Sequence, residues 1–157
     1  MKRDLPRELD YHKEAANCRR CEKNFAHDSR VKVPKVYDKY TRERVLTMSY
    51  EVGTPVTHVK KMREQGIDLK ELSQLISEVF NHMIFKAGFV HSDPHPGNLF
   101  VRKTPNGKLE IVLLDHGIYQ ELKEETRLSY AGLWRGILQQ DEAMIKEHSE
   151  LIGADFY

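Results

Sequence analysis

Between His91 and Gly117 the chain reads His91-Ser92-Asp93-Pro94-His95-Pro96-Gly97-Asn98, then two apolar runs about the turn Pro105-Asn106-Gly107, then Asp115-His116-Gly117. The runs, Leu99 to Arg102 and Leu109 to Leu114, predict a β-hairpin, and a hairpin of that length returns Asp115 to the side of Asn98. No other stretch restricts the fold as much, because it forces two carboxylates and an amide toward one place. A site that moves a phosphoryl group needs a carboxylate to orient or deprotonate the attacking hydroxyl. It also needs an amide oxygen and a second carboxylate to hold Mg²⁺ against the phosphates, where transition-state charge is spread. Asp93, Asn98 and Asp115 are residues of those types, in that order, and are expected to share one solvent-reaching cleft. Two plainer readings stand beside this one. Asp93-Pro94 and Pro96-Gly97-Asn98 are also ordinary turn sequences, and Asp115-His116-Gly117 also suits a turn that closes a strand. His91, Asp93 and His95 alternate and so also suit a transition metal, although Pro94 and Pro96 favour a rigid loop over a strand presenting three ligands.

Asp68-Leu69-Lys70-Glu71 predicts a helix start, with Asp68 capping free amides. From there Leu72, Leu75, Ile76, Val79, Phe80, Met83 and Ile84 recur at three- and four-residue spacing up to Gly88, a left-handed stop. This stripe is core, and it delivers the chain to His91. Upstream, Asp4 followed by Pro6 predicts a helix that runs past Glu14, on which Asp10 and Glu14 share a face. By spacing alone, that face is a solvated one. Val31 to Tyr37 and Arg44 to Tyr50 are β-branched and aromatic and predict a second hairpin, and Gly53 and Pro55 mark a linker after it. Downstream, Glu124-Glu125 opens a helix whose apolar positions are Leu128, Ala131, Leu133, Trp134, Ile137 and Leu138, with negative charge suited to its first turn. A last helix is expected from Asp141 to Leu151.

The 25 Lys and Arg residues nearly balance 24 Asp and Glu, so no bulk field selects nucleic acid or an anionic surface, and binding is expected at a local site. At 157 residues with 39% apolar content the chain suits one domain with a real core. Cys18 and Cys21 form the one C-x-x-C, which without a second such pair reads as two reduced thiols on a helix. No run approaches a membrane span, and no signal or transit segment is expected among the first residues.

The pattern H-x-D-x-x-x-x-N followed by D-x-G is that of protein-kinase catalytic and metal-binding loops. Its double-proline form, with Leu113-Leu114-Asp115-His116-Gly117 behind it, resembles the aarF-domain-containing (UbiB-like) atypical kinases. His116, where most kinases carry Phe, resembles the mitochondrial branch of that family. The resemblance implies an α+β, protein-kinase-like fold in partial form: an αC-like helix, a hairpin, a hinge and the front of the helical C-lobe, lacking the nucleotide-covering loop and the lysine strand. It divides 1–157 into an N-lobe remnant (1–50), a hinge (51–57) and a C-lobe portion (58–157). It implies ATP and Mg²⁺ as cofactors, Asp93 as the catalytic carboxylate, Asn98 and Asp115 as metal ligands, and Glu14 as the glutamate that pairs with a phosphate-binding lysine. Glu8 and Asp10 match the family's E-x-D motif, while Ser49 stands where the family usually carries a glutamate. The implied role is a kinase or ATPase linked to coenzyme Q biosynthesis or mitochondrial lipid homeostasis, with a nucleotide and an unknown protein or lipid-pathway partner, no nucleic acid, and a mitochondrial location. A non-catalytic pseudokinase or scaffold is the alternative from another class. Aminoglycoside and choline phosphotransferases, whose loop is similar, are the second.

Overall fold

The computed structural model describes residues 10–153, which fall into two compact units. The first unit comprises residues up to Val79 together with His91–Tyr119. It begins with helix α1, Tyr11–Asn24, capped by Asp10, whose carboxylate accepts the His12 amide at 3.0 Å. The expected start at Asp4 and Pro6 lies outside the described residues, as does Glu8. Asp10 is therefore a cap in extended backbone and does not share a helical face with Glu14, which corrects the spacing argument. Ala15, Cys18 and Cys21, one turn apart, are the buried positions of α1, with Phe25 buried just beyond it. The Cys18 thiol donates to the Pro34 carbonyl at 3.1 Å, and both cysteines are free thiols. Burial pushes their pKa values up to about 12 and about 11.

A four-stranded sheet carries the unit, in the order β1-β5-β4-β2. Here β1 is Val31–Lys32, β2 is Thr54–Pro55, β4 is Leu99–Lys103 and β5 is Leu109–Leu113. The two long strands pair antiparallel from Leu99 against Leu113 to Lys103 against Leu109, about a turn in which Gly107 takes φ 76°. That is the hairpin the sequence predicts. Ile111, Val112 and Leu113 are all fully buried, and a strand covered on both faces reads as a continuous apolar run rather than an alternating one.

The upstream hairpin is present but irregular. Only Val31–Lys32 is regular strand, and it pairs parallel with β5. The remainder is held by the single bridge of Val36 with Met48, by the tight turn of Arg42 with Val45, and by backbone bonds from Tyr37 to Thr47 and from Ser49 to Lys35, each 2.8 Å. Pro34, without an N–H, interrupts the ladder. Within the expected linker, Thr54–Pro55 pairs antiparallel with β4. Helix α2 (Val59–Glu64) buries Met62, and α3 (Leu69–Asn81) buries Leu72, Leu75 and Val79 beneath the Asp68 cap.

The second unit comprises Phe80–Val90 and the residues after Tyr119. The helical path continues as a π-helical turn, His82–Ala87, and ends at Gly88 with φ 59°. Arg127 donates to the Phe85 carbonyl at 2.6 Å, and a side chain that takes a carbonyl out of the helical ladder is a recognised cause of such widening. Helices α4 (Glu124–Gln139) and α5 (Glu142–Leu151) pack as an antiparallel pair, α5 capped by Asp141. The buried positions of α4 are Ser129 and Gly136, whereas Leu128, Trp134, Ile137 and Leu138 are exposed. The apolar stripe expected to bury does not: two glycines let α5 approach so closely that small residues form the contact. Strands β3 (Phe89–His91) and β6 (Tyr119–Glu121) form a separate two-stranded sheet. Among the described residues no helix is long and apolar enough to cross a membrane.

Candidate active site

The loop after β3 turns through Pro94 and a short 3₁₀ segment, Pro96–Asn98, capped by the His95 ring, whose Nδ1 accepts the Gly97 amide at 3.0 Å. This rigid turn ends at Asn98, directly before β4, and the hairpin brings Asp115 back to it. Asn98 Nδ2 donates to Asp115 Oδ2 at 3.1 Å, and the backbone closes the same corner with Leu114 N bonded to the Asn98 carbonyl at 3.0 Å. The other Asp115 oxygen accepts the Gly117 amide at 2.9 Å. A Cβ on Gly117 would lie 3.3 Å from that oxygen, tight against the carboxylate.

His91 ties Asp93 to this corner. Its Nδ1 accepts the Asp93 amide at 3.2 Å, while the ring also donates to the backbone carbonyl of Asp115. Burial holds its pKa below the ordinary histidine value, against the opposing pull of that carbonyl and of the Asp115 and Asp93 carboxylates. Both carboxylates therefore lie near one ring. Both ring nitrogens are occupied, so His91 has no lone pair for a metal, and among the described residues no three His, Cys, Asp or Glu side chains form a metal-holding group. The alternating His91-Asp93-His95 metal set is thereby corrected.

Helix α1 supplies the facing wall. Glu14 Oε1 accepts the His116 amide at 3.4 Å, and Asn17 Nδ2 donates to the His116 carbonyl at 2.9 Å. The Glu14 pKa is raised, first by burial and further by the Asp115 carboxylate, with the His116 amide opposing. Among the described residues no lysine or arginine forms an ion pair with Glu14. An open cleft of about 470 Å³ is lined by Tyr11, Glu14, Met48, Leu114 and Asp115, with Arg44 to Leu46 along its rim. It combines an apolar wall with two carboxylates. Asn98 and Asp115 are adjacent hard oxygen donors, the kind of pair that suits Mg²⁺, an ion that keeps several waters and completes its shell with phosphate oxygens. Asp93 is exposed, and neither it nor Asn98 is among the residues lining this cleft, which of the three expected residues takes in Asp115 alone.

At the expected hinge, Glu51 is nearly buried and receives three groups: the Ser49 hydroxyl at 2.8 Å, Arg102 Nη1 at 3.0 Å and Lys32 Nζ at 3.8 Å. Arg102 also binds Glu110 at 2.6 Å and the Val52 carbonyl at 3.0 Å. This network fastens 51–57 to the hairpin that carries Asn98 and Asp115.

Residues 1–149 match the model of the ABC1 atypical kinase-like domain. The chain is 45% identical over 152 residues to AarF domain-containing kinase 1 of Drosophila melanogaster, covering 97% of this chain and 29% of that protein. It is 43% identical to the probable serine/threonine-protein kinase abkB of Dictyostelium discoideum (98% and 23% covered) and 42% to AarF domain-containing protein kinase 1 of the mouse (99% and 30%). The chain belongs to the ABC1 atypical kinase-like family. It spans under a third of the length of these relatives. The Mycobacterium tuberculosis protein Rv3197, solved with erythromycin, superposes with a TM-score of 0.68 at 24% identity, covering 92% of this chain and 35% of that one, and so shares the fold. Within this ABC1 domain, Asn17 and Tyr119 are the site residues that sequence reasoning missed. Both act on His116, Asn17 from 99 positions away and Tyr119 from three.

Proposed function

We propose that the chain forms the Mg²⁺- and ATP-binding core of an atypical kinase or ATPase. The observation that carries this reading is the Asn98–Asp115 corner, with Asp93 tied to it through the His91 ring. Asn98 and Asp115 would hold Mg²⁺, which when bound neutralises charge on the nucleotide phosphates. Asp93 accepts the proton of an attacking hydroxyl or water as its oxygen bonds to the γ-phosphorus, and ADP leaves with the electrons of the broken P–O bond. Residues 51–57, as hinge, present backbone groups to adenine. The resemblance extends the proposal to a role in coenzyme Q or mitochondrial lipid metabolism, at a mitochondrial location.

The test compares Asp115→Ala with Asp93→Ala in the natural protein. ATP binding should lose its Mg²⁺ dependence in the first. In the second it should persist, with turnover lowered on the order of 10²- to 10⁴-fold, the usual contribution of a positioned base. Equal loss of nucleotide affinity in both variants would contradict the assignment. One observation favours a second reading, a pseudokinase or scaffold: Glu14 takes the His116 amide where a phosphate-binding lysine belongs. Mg²⁺-dependent ATP binding without turnover in the wild type selects it.

A further inference from the structure

His116 is held at four points. Its amide donates to Glu14, its carbonyl accepts from Asn17, its Nε2 lies 3.0 Å from the Leu113 carbonyl, and its Nδ1 lies 3.0 Å from the Tyr119 hydroxyl. A carbonyl oxygen only accepts, so Nε2 carries the proton. The other ring nitrogen, Nδ1, faces the Tyr119 hydroxyl, and Tyr119 is also hydrogen-bonded to the Cys21 side chain. The contacts therefore run without a break from Cys21 on α1 through Tyr119 and the His116 ring to the Leu113 carbonyl. The Tyr119 ring stacks on His116 at 5.8 Å with 10° between planes, and lies 5.0 Å from His91, the ring that grips the Asp115 carbonyl.

Glu14 and Asn17, which bind the His116 backbone, and Cys21, which binds Tyr119, stand on successive turns of α1. A phenylalanine would fill the same space with fewer demands, since each buried polar group here must find a partner of one orientation. What the polar chain adds is direction: it fixes the rotation of His116 and thereby the backbone that bears Asp115. We infer that Tyr119 and Asn17 are positioning residues for the metal-holding loop, coupling the Asp115 carboxylate to helix α1 through His116. The inference rests on the reading of Asp115 as a Mg²⁺ ligand.

The test follows ATP binding across a Mg²⁺ titration in Tyr119→Phe, Asn17→Ala, His116→Phe and the double variant His116→Phe/Tyr119→Phe, alongside melting temperature and amide exchange at Gly117. Removal of a group that orients a ligand typically weakens metal binding on the order of 10- to 100-fold. The Mg²⁺ midpoint should rise to that extent in Tyr119→Phe and Asn17→Ala while metal-free ATP binding stays unchanged. Removing both partners of a buried hydrogen bond is milder than orphaning one, so the double variant should regain the melting temperature that His116→Phe loses. Its Mg²⁺ midpoint should remain shifted. Recovery of both would show the pair to be packing alone and overturn the inference. Gly117 exchange reports the Asp115 carboxylate without nucleotide, since that amide binds Asp115 Oδ1. If wild type binds no Mg²⁺–ATP, the functional reading fails, and exchange still decides the coupling: acceleration in Tyr119→Phe supports it and wild-type exchange overturns it.

Discussion

His116 is buried as a neutral imidazole, with Asp115, His91, Tyr119 and Glu14 as the titratable groups facing it. Its pKa of about 4 in the fold lies below the roughly 6.5 of an unfolded chain. A base whose pKa is depressed by folding leaves stability untouched above pH 6.5 and removes it as the unfolded state takes up protons below that. Between pH 7.5 and 5 the loss from this residue should be about 2 kcal/mol. His91 is shifted in the same direction and adds to it, while Glu14, raised by burial, works the opposite way nearer its own titration. Urea unfolding at the two pH values should show the loss, and His116→Phe should shrink it; an unchanged pH dependence in that variant would place the titration elsewhere. At this scale the sequence was informative wherever chemistry demands a side-chain type. Asp93, Asn98 and Asp115 announce themselves by kind and order. Asn17 and Tyr119 do not, because their value lies in one hydrogen bond each to His116, and for Asn17 that partner is 99 positions away.

The helix pair of the second unit shows the same division at the level of elements. The bounds of α4 and α5 follow from the charged first turn and the Asp141 cap, both visible in sequence. The contact between them does not follow from the apolar stripe, because it is made at Gly132 and Gly136. A Cβ on Gly132 would lie 2.2 Å from His148 Nε2, and one on Gly136 would lie 3.0 Å from the Ile145 backbone nitrogen. An alanine in an exposed helix interior normally gains up to about 1 kcal/mol over glycine. Gly132→Ala should instead destabilise by about 1 to 3 kcal/mol, the cost of overpacking. Denaturant midpoints read the sign directly, and a stabilised variant would show that His148 moves aside freely. The upstream hairpin is legible only in outline for a related reason: β propensity marks the two runs that Val36 and Met48 join, but Pro34 breaks the ladder, and the parallel pairing of Val31 with Ile111 leaves no local signature.

For the molecule as a whole, the chain spans under a third of its curated relatives, and its second unit leaves apolar side chains uncovered. Trp134, Ile137 and Leu138 share a face of α4, and Leu138 is 80% exposed. Contiguous apolar surface of this kind drives association. Sedimentation velocity at rising concentration should show self-association that Leu138→Glu relieves with little change in melting temperature; a monomer at all concentrations would contradict this. The first unit poses a matter of timing. The Glu14–His116 bond joins residues 102 positions apart. At the roughly 5 to 20 residues per second of synthesis, helix α1 precedes its partner loop by roughly 5 to 20 s. Throughout that interval Glu14 and Asn17 lack the His116 backbone that they bind, and Cys21 lacks Tyr119. Since long-range closure also slows folding, α1 is synthesised well before the loop that completes the site, and the site can close only late.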